Sequence, residues 1–186
     1  IAGGTDLMLE VTQRYQHFER LIDVSRVMEL RSITETQDTY CIGASVTYTE
    51  LERFFAQRSQ SLVSLLHRLG SRQIRNCGTI GGNLANGSPI ADMPPVLICW
   101  GATVELCTSS GQTRGVSINE FYRGYRQTVL QADEYIAGIR IPKRSLDSFA
   151  RFYKSSKRIE DDISSVMGAF LFQGDGSKIT AARIAF

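Results

Sequence analysis

The chain has 186 residues, of which 42% are hydrophobic and 22% charged, and its formal net charge is +2 at pH 7. This composition is typical of a globular protein with a sizeable core. Acids and bases are interspersed, which excludes the basic surface of a nucleic-acid-binding protein. No run of about 18 apolar residues is present, so the sequence predicts no membrane span.

The first 69 residues are predicted to form a small β-α-β lobe. Thr5 is a candidate N-cap, because a threonine hydroxyl can accept a hydrogen bond from a free amide at a helix start. Apolar periodicity and turn residues define the remaining elements. The predicted helices cover residues 5–14, 49–57 and 61–69, and the predicted strands cover residues 21–24, 32–36 and 39–44.

Residues 70–186 are predicted to form an antiparallel sheet with flanking helices. Pro94 and Pro95 indicate the start of a helix that runs to Trp100. A helical turn is predicted at residues 119–123, and strands are predicted at residues 102–108, 114–118, 135–141, 149–156, 165–172 and 179–186. The predicted fold class is α+β, with two lobes over residues 1–69 and 70–186. Both chain ends fall in strand patterns, so we expect a fragment truncated at both ends.

The segment Gly78–Asp92 has the most distinctive composition in the chain. It contains four glycines, the hydroxyl of Thr79, the amides of Asn83 and Asn86 and one carboxylate, but no lysine or arginine. Glycines let backbone N–H groups approach an anion closely, and successive N–H groups can form a concave anion-binding nest. The segment therefore predicts a backbone cradle for a nucleotide pyrophosphate.

A second glycine turn, Ile1–Leu7, repeats this chemistry with paired glycines, Thr5 and Asp6. Neither turn contains the G-x-G-x-x-G of a Rossmann fold or the Gly-Lys-Ser/Thr of a Walker A loop. Two such turns suit a ligand with two phosphates. The alternative is that the glycine pairs mark ordinary tight turns.

The segment 152–163 holds a basic block, Lys154, Lys157 and Arg158, followed by an acidic block of three residues. It is either a solvated loop with internal ion pairs or a charged loop beside a redox cofactor.

The four cysteines, at positions 41, 77, 99 and 107, have no C-x-x-C spacing, so we expect no zinc or iron–sulfur ligation within the chain. Cys41 and Cys99 lie in apolar runs and are predicted to be buried. Free thiols favour a reducing, cytoplasmic location. No histidine has a partner at a catalytic spacing.

Three segments together, residues 2–7, 75–92 and 153–163, resemble the FAD-binding region of the xanthine dehydrogenase family of molybdenum hydroxylases. The third, with its Ser-Lys-Arg and Asp-Asp-Ile, is most similar to the separate small subunit of the bacterial enzymes. The resemblance implies FAD in a cleft between two lobes. It also implies an iron–sulfur portion upstream on the same polypeptide, a molybdopterin-binding large subunit as partner, and NAD as electron acceptor.

The resemblance also implies roles for individual residues. The first pyrophosphate loop would comprise Ile1, Ala2, Gly3, Gly4, Thr5, Asp6 and Leu7, and the second would comprise Thr79, Gly81, Gly82 and Asn83. Asp92 would bind a sugar hydroxyl of FAD. Leu69 replaces a frequent aromatic near the nucleotide, Ile136 would contact the flavin, and Lys154 would close over the cofactor. No catalytic or metal-binding residue is expected, because the flavin carries the redox chemistry.

The predicted function is that of an FAD-binding fragment of a xanthine dehydrogenase-like oxidoreductase, inactive alone. It would pass electrons from iron–sulfur clusters through FAD to NAD. A related hydroxylase acting on carbon monoxide, an aldehyde or an aromatic thioester remains open, because the substrate is selected at molybdenum. A stand-alone flavoprotein oxidoreductase of the same fold and a non-enzymatic nucleotide-binding module remain open as well.

Overall fold

The structure, a computed structural model, describes residues 1–146 and 148–186. The helices are α1 (Leu7–Thr12), α2 (Met28–Arg31), α3 (Tyr48–Phe55), α4 (Gln60–Leu66), α5 (Arg72–Cys77), α6 (Ile80–Asn86), α7 (Met93–Trp100) and α8 (Ile118–Phe121). The strands are β1 (Ile33–Glu35), β2 (Thr39–Gly43), β3 (Thr103–Thr108), β4 (Thr113–Ser117), β5 (Tyr122–Gly124), β6 (Gln127–Thr128), β7 (Glu134–Pro142), β8 (Phe149–Ser155), β9 (Val166–Gly174) and β10 (Ile179–Ala185). The predicted α+β class is confirmed. Within the described ranges, no helix combines the length and apolar character needed to cross a bilayer.

The larger sheet has five antiparallel strands in the order β1-β2-β7-β3-β4. Its centre is β7, which pairs with β2 on one side and with β3 on the other. The sheet therefore combines strands from both sides of residue 69. The division into lobes at that residue stays a prediction.

A second antiparallel sheet has the order β10-β9-β8, and β5 pairs with β6 in a small hairpin. Side chains alternate along β8 and β9: Phe152, Met167 and Leu171 point into the core. Helices α4 and α7 cover this inner face. Phe149 and Tyr153 lie on the outer face and are more than half exposed.

Helix α7 links the two sheets through an aromatic core. Its sequence is apolar throughout, and Trp100 is 1% exposed. The Trp100 ring stacks on Phe55 of α3 with a centroid distance of 5.5 Å and meets Phe152 of β8 edge-on at 5.4 Å. Such aromatic pairs contribute about 0.5–1.5 kcal/mol each beyond the area they bury. This core fixes the second sheet, which carries Lys154, against the helices that precede it.

Several element predictions are corrected by the structure. Thr5 does not cap α1: Asp6 occupies that position, without a capping hydrogen bond from its side chain. The strand predicted at residues 21–24 is wrong. Ile1 donates to the carbonyl of Ile22 at 2.5 Å and accepts from Val24 at 2.9 Å, which is too little pairing for a ladder. Cys41 is only half-buried, whereas Cys99 is buried as predicted.

Helices α5 and α6 were not predicted, because they are only six and seven residues long and α6 contains two consecutive glycines.

Candidate functional site

A cleft of about 750 Å³ lies between the N-terminal loop, α6 and the segment 154–164. The two glycine segments, which are about 75 residues apart in sequence, meet there because Gly3 packs against the Cys77 carbonyl with no room for a Cβ. Most of the predicted site residues line this cleft. They are Ile1, Ala2, Gly3, Gly4, Thr5, Asp6, Leu7, Leu69, Thr79, Gly82, Asn83, Asp92 and Lys154.

The N-terminal loop presents a run of unpaired backbone donors. The N–H groups of Ala2–Asp6 make no hydrogen bond with any described residue, and all five residues line the cleft. Gly4 has φ +68, a left-handed conformation of the kind found in backbone anion-binding nests. Amides in this arrangement form a partial positive charge suited to an anion.

The second glycine segment differs from the prediction, because it begins a helix. The amides of Ile80 and Gly81 donate to the carbonyls of Val46 and Ala44 at 3.1 and 2.9 Å, and the Gly82 amide donates to Thr79 Oγ1 at 3.1 Å. The predicted backbone cradle is therefore wrong here, since these donors are already used.

The polar groups of α6 that remain available to a ligand belong to side chains. The Thr79 hydroxyl accepts from Gly82 and keeps its own proton free to donate. The buried Oδ1 of Asn83 has no partner among the described residues. A Cβ on Gly82 would meet only Thr79 Oγ1, at 2.8 Å, so this glycine leaves the cleft floor open.

Two predicted site residues do not line the cleft. Gly81 packs against Ala44, where a Cβ would lie 2.6 Å from the Ala44 Cβ. This close packing explains why position 81 is a glycine. Ile136 is buried on β7 opposite Leu106, within the sheet core. Its predicted contact with a flavin gains no support from this position.

Asp92 and Lys154 form a buried ion pair at one wall of the cleft. Lys154 Nζ lies 2.8 Å from Asp92 Oδ2, and the two side chains are 5% and 6% exposed. The Ser164 hydroxyl donates to the other Asp92 oxygen. Asp92 occupies the N-cap position of α7, but its side chain makes no capping bond. The carboxylate thus holds the end of β8 and the start of β9 against α7.

Tyr48 of α3 also lines the cleft, and no sequence pattern indicated it. Burial raises the pKa of its phenol well above the ordinary value, and the charge of Asp92 raises it further. The Tyr48 side chain is therefore neutral at physiological pH.

The charged segment after Lys154 is fastened to the turn between α4 and α5. Arg68 donates to the Lys154 carbonyl at 2.5 Å and to Ser156 Oγ at 2.9 Å. The Asp161 carboxylate accepts from the Ser71 amide at 2.5 Å.

The contacts of this segment are compatible with both interpretations, and the choice between them stays a prediction. Arg158 and Asp162 form an internal ion pair at 3.1 Å, as expected of a solvated loop. Hydrogen bonds from the backbone and side chain of Arg158 lower the pKa of Asp162. However, Asp161 and Asp162 also line the cleft, as expected of a loop beside a cofactor.

The comparison with known families shows to which family the chain belongs. Residues 1–144 match the family described as "FAD binding domain in molybdopterin dehydrogenase". The chain belongs to this family. The predicted resemblance is confirmed, and FAD is the cofactor of the family.

Individual relatives agree with the family match. The nicotinate dehydrogenase FAD-subunit of Eubacterium barkeri is 34% identical over 184 residues, covering 96% of this chain and 62% of the relative. The xanthine dehydrogenase of Drosophila pseudoobscura pseudoobscura is 32% identical over 184 residues, covering 91% of this chain and 14% of the relative.

Solved structures give the same result. Carbon monoxide dehydrogenase from Hydrogenophaga pseudoflava superposes with a TM-score of 0.91 at 30% identity, covering 99% of this chain and 64% of the other. Quinoline 2-oxidoreductase from Pseudomonas putida 86 superposes with a TM-score of 0.89 at 31% identity, again covering 99% and 64%. The chain therefore spans less than two thirds of each of these four relatives.

The cleft fits FAD on its own features. Unpaired amides in the N-terminal loop suit a pyrophosphate, and the buried, unpartnered Asn83 oxygen calls for a donor from a ligand. The volume of about 750 Å³ lies within the range of cofactor sites.

Proposed function

We propose that this FAD-binding domain is part of a xanthine dehydrogenase-like molybdenum hydroxylase, in which electrons pass from iron–sulfur clusters through FAD to NAD. The observation that carries the proposal is the run of unpaired amides at Ala2–Asp6, facing a cleft in a chain of this family. When bound, FAD supplies the redox chemistry, and the chain binds and orients it.

The N-terminal loop would hold the pyrophosphate. Its amides donate without a counter-charge from a side chain, and the Thr79 hydroxyl adds a further donor in the same cleft. Because protein donors are fixed in place, they can replace the water shell of a phosphate with little reorganisation.

Asp92 would accept a hydrogen bond from a ribityl or ribose hydroxyl. An ionised carboxylate has about four lone-pair positions, and Lys154 and Ser164 use one on each oxygen. The remaining positions can accept from a ligand. Lys154 fixes the orientation of the carboxylate and compensates its charge in the buried wall.

The wider assembly belongs to the same proposal. We expect an iron–sulfur portion of the same polypeptide and a molybdopterin-binding large subunit to deliver electrons. The four free thiols are consistent with a reducing cytoplasm. The fragment by itself is expected to bind FAD without turning over a hydroxylase substrate.

The comparisons also support substrates other than a purine for the hydroxylase. The solved relative with a TM-score of 0.91 is a carbon monoxide dehydrogenase, and another relative is named for nicotinate. Either substrate is compatible with this cleft, because the proposal places substrate selection at molybdenum, outside the chain.

The test uses the intact protein that contains this chain. Purified protein should show flavin absorption, and acid release should yield FAD. Anaerobic titration with NADH should then bleach the flavin bands. Flavin that dithionite reduces but NADH does not would refute the NAD step and leave the FAD assignment in place. Protein that neither retains nor rebinds FAD would refute the whole proposal.

A further inference from the structure

Arg126 is a cleft-lining cation whose role is not explained by the contacts described above. It lies in the turn between β5 and β6, and its guanidinium makes no hydrogen bond or ion pair with any described residue.

The fold places Arg126 at the cleft through specific contacts. The Tyr122 hydroxyl of the hairpin donates to the Leu84 carbonyl of α6 at 3.1 Å. Gly87, with φ +59, ends α6 so close to the hairpin that a Cβ would lie 3.1 Å from the Arg126 Cα. Arg126 itself has φ +53, which is uncommon outside glycine, asparagine and aspartate. Such conformations persist where the surroundings impose them, often at functional sites.

The charges of the cleft leave Arg126 available for a ligand. Among the described lining residues the cationic side chains are those of Lys154 and Arg126, and Lys154 is paired with Asp92. Of the five acidic lining residues, Asp6 makes no ion pair with Arg126, and the other four have partners elsewhere. Asp161 accepts from the Ser71 amide. Asp162 and Glu10 pair with arginines on their own segments.

The position of Arg126 separates it from the N-terminal amides. Thr79 marks one end of α6, and Gly87, beside Arg126, marks the other. With a rise of 1.5 Å per residue, Thr79 and Gly87 are about 12 Å apart along the helix axis. The cleft therefore has an amide-rich end and a separate guanidinium end, and a guanidinium is well suited to phosphate oxygens.

We propose that Arg126 is an anion subsite for the diphosphate of a nucleotide bound in this cleft. The inference rests on the proposed function and adds a residue and a ligand chemistry to it. The diphosphate could belong to FAD itself or to a second nucleotide, such as the electron acceptor, that enters at the α6 C-terminal end.

The test compares Arg126→Gln, Arg126→Asn and Arg126→Lys with Arg123→Gln in the intact protein. Asparagine tolerates a positive φ, so it guards against a folding defect in the glutamine variant. Arg123 is the matched control, because it is exposed on the same hairpin and is not among the residues that line the cleft. One measurement is the FAD dissociation constant of flavin-free protein, at low and high salt. The other is the dissociation constant of ADP-ribose for FAD-loaded protein.

Loss of the charge should weaken one of these affinities about tenfold or more at low salt and less at high salt. Arg126→Lys should retain most of the affinity, and Arg123→Gln should match the unmodified protein. A loss confined to FAD identifies its pyrophosphate as the ligand, whereas a loss confined to ADP-ribose identifies a second nucleotide. Unchanged values in both measurements overturn the inference. Failure of the unmodified protein to bind FAD would instead refute the proposed function.

Discussion

The buried ion pair between Lys154 and Asp92 makes a quantitative prediction about stability. The Lys154→Met variant leaves the Asp92 carboxylate buried with only the Ser164 hydroxyl as partner. Removing one partner of a buried pair costs about 3–5 kcal/mol of unfolding free energy. Adding Asp92→Asn to Lys154→Met removes the stranded charge, so the double variant should recover about 2 kcal/mol or more of that loss.

The assay is urea unfolding of the flavin-free protein, because bound FAD would add its own stabilisation. Lys143→Met is the matched control. Its ammonium lies 2.9 Å from Glu35 Oε2, but the two side chains are 29% and 38% exposed. An exposed pair contributes about 0–1 kcal/mol. Equal losses for Lys154→Met and Lys143→Met, or a double variant no more stable than Lys154→Met, would refute the reasoning from burial.

Three further predictions concern the cleft and the core. Gly82→Val should weaken FAD binding at least about tenfold, or about 1.4 kcal/mol, because its side chain would enter the cleft; flavin at full stoichiometry after purification would contradict this. Burial raises the pKa of the Cys99 thiol to about 11, so alkylation at pH 8 should label exposed Cys77 and spare Cys99 in mass spectra. Changing both Asp161 and Asp162 to asparagine should raise the flavin reduction potential, because nearby anions disfavour the addition of electrons to the flavin. The increase should be larger at low salt than at high salt. An unchanged potential at low ionic strength, with FAD fully bound, would exclude this effect.

Sequence reasoning located the cleft well, because its residues are concentrated in two glycine-rich segments. It predicted both strands of the larger sheet's first hairpin, where Ile33–Glu35 meets Tyr40–Ile42 across a short turn. It failed where tertiary contacts override local pattern. The amides of Ile80 and Gly81 are consumed by carbonyls about 35 residues earlier, which no local motif reveals.

The same limit explains the residues that sequence reasoning missed or misplaced. Tyr48 and Arg126 reach the cleft only because the start of α3 lies against Gly78 and the β5–β6 hairpin lies against α6. Ile136 has the apolar character expected of a flavin contact, but the register of β7 turns it into the core. The pairing of Lys154 with Asp92 joins positions 62 residues apart and depends on the assembled second sheet.

The unpaired amides of Ala2–Asp6 have an evolutionary consequence. A donor carried by the main chain is retained by every amino acid except proline. Almost any substitution removes a cationic side chain, whereas only a substitution to proline removes one of these N–H groups. The side chains of Ala2 and Thr5 can therefore drift without erasing the donors, while Gly3 is constrained by its contact with the Cys77 carbonyl. We expect related sequences to vary more freely at the positions of Ala2 and Thr5 than at the position of Gly3. We also expect them to avoid proline throughout the loop.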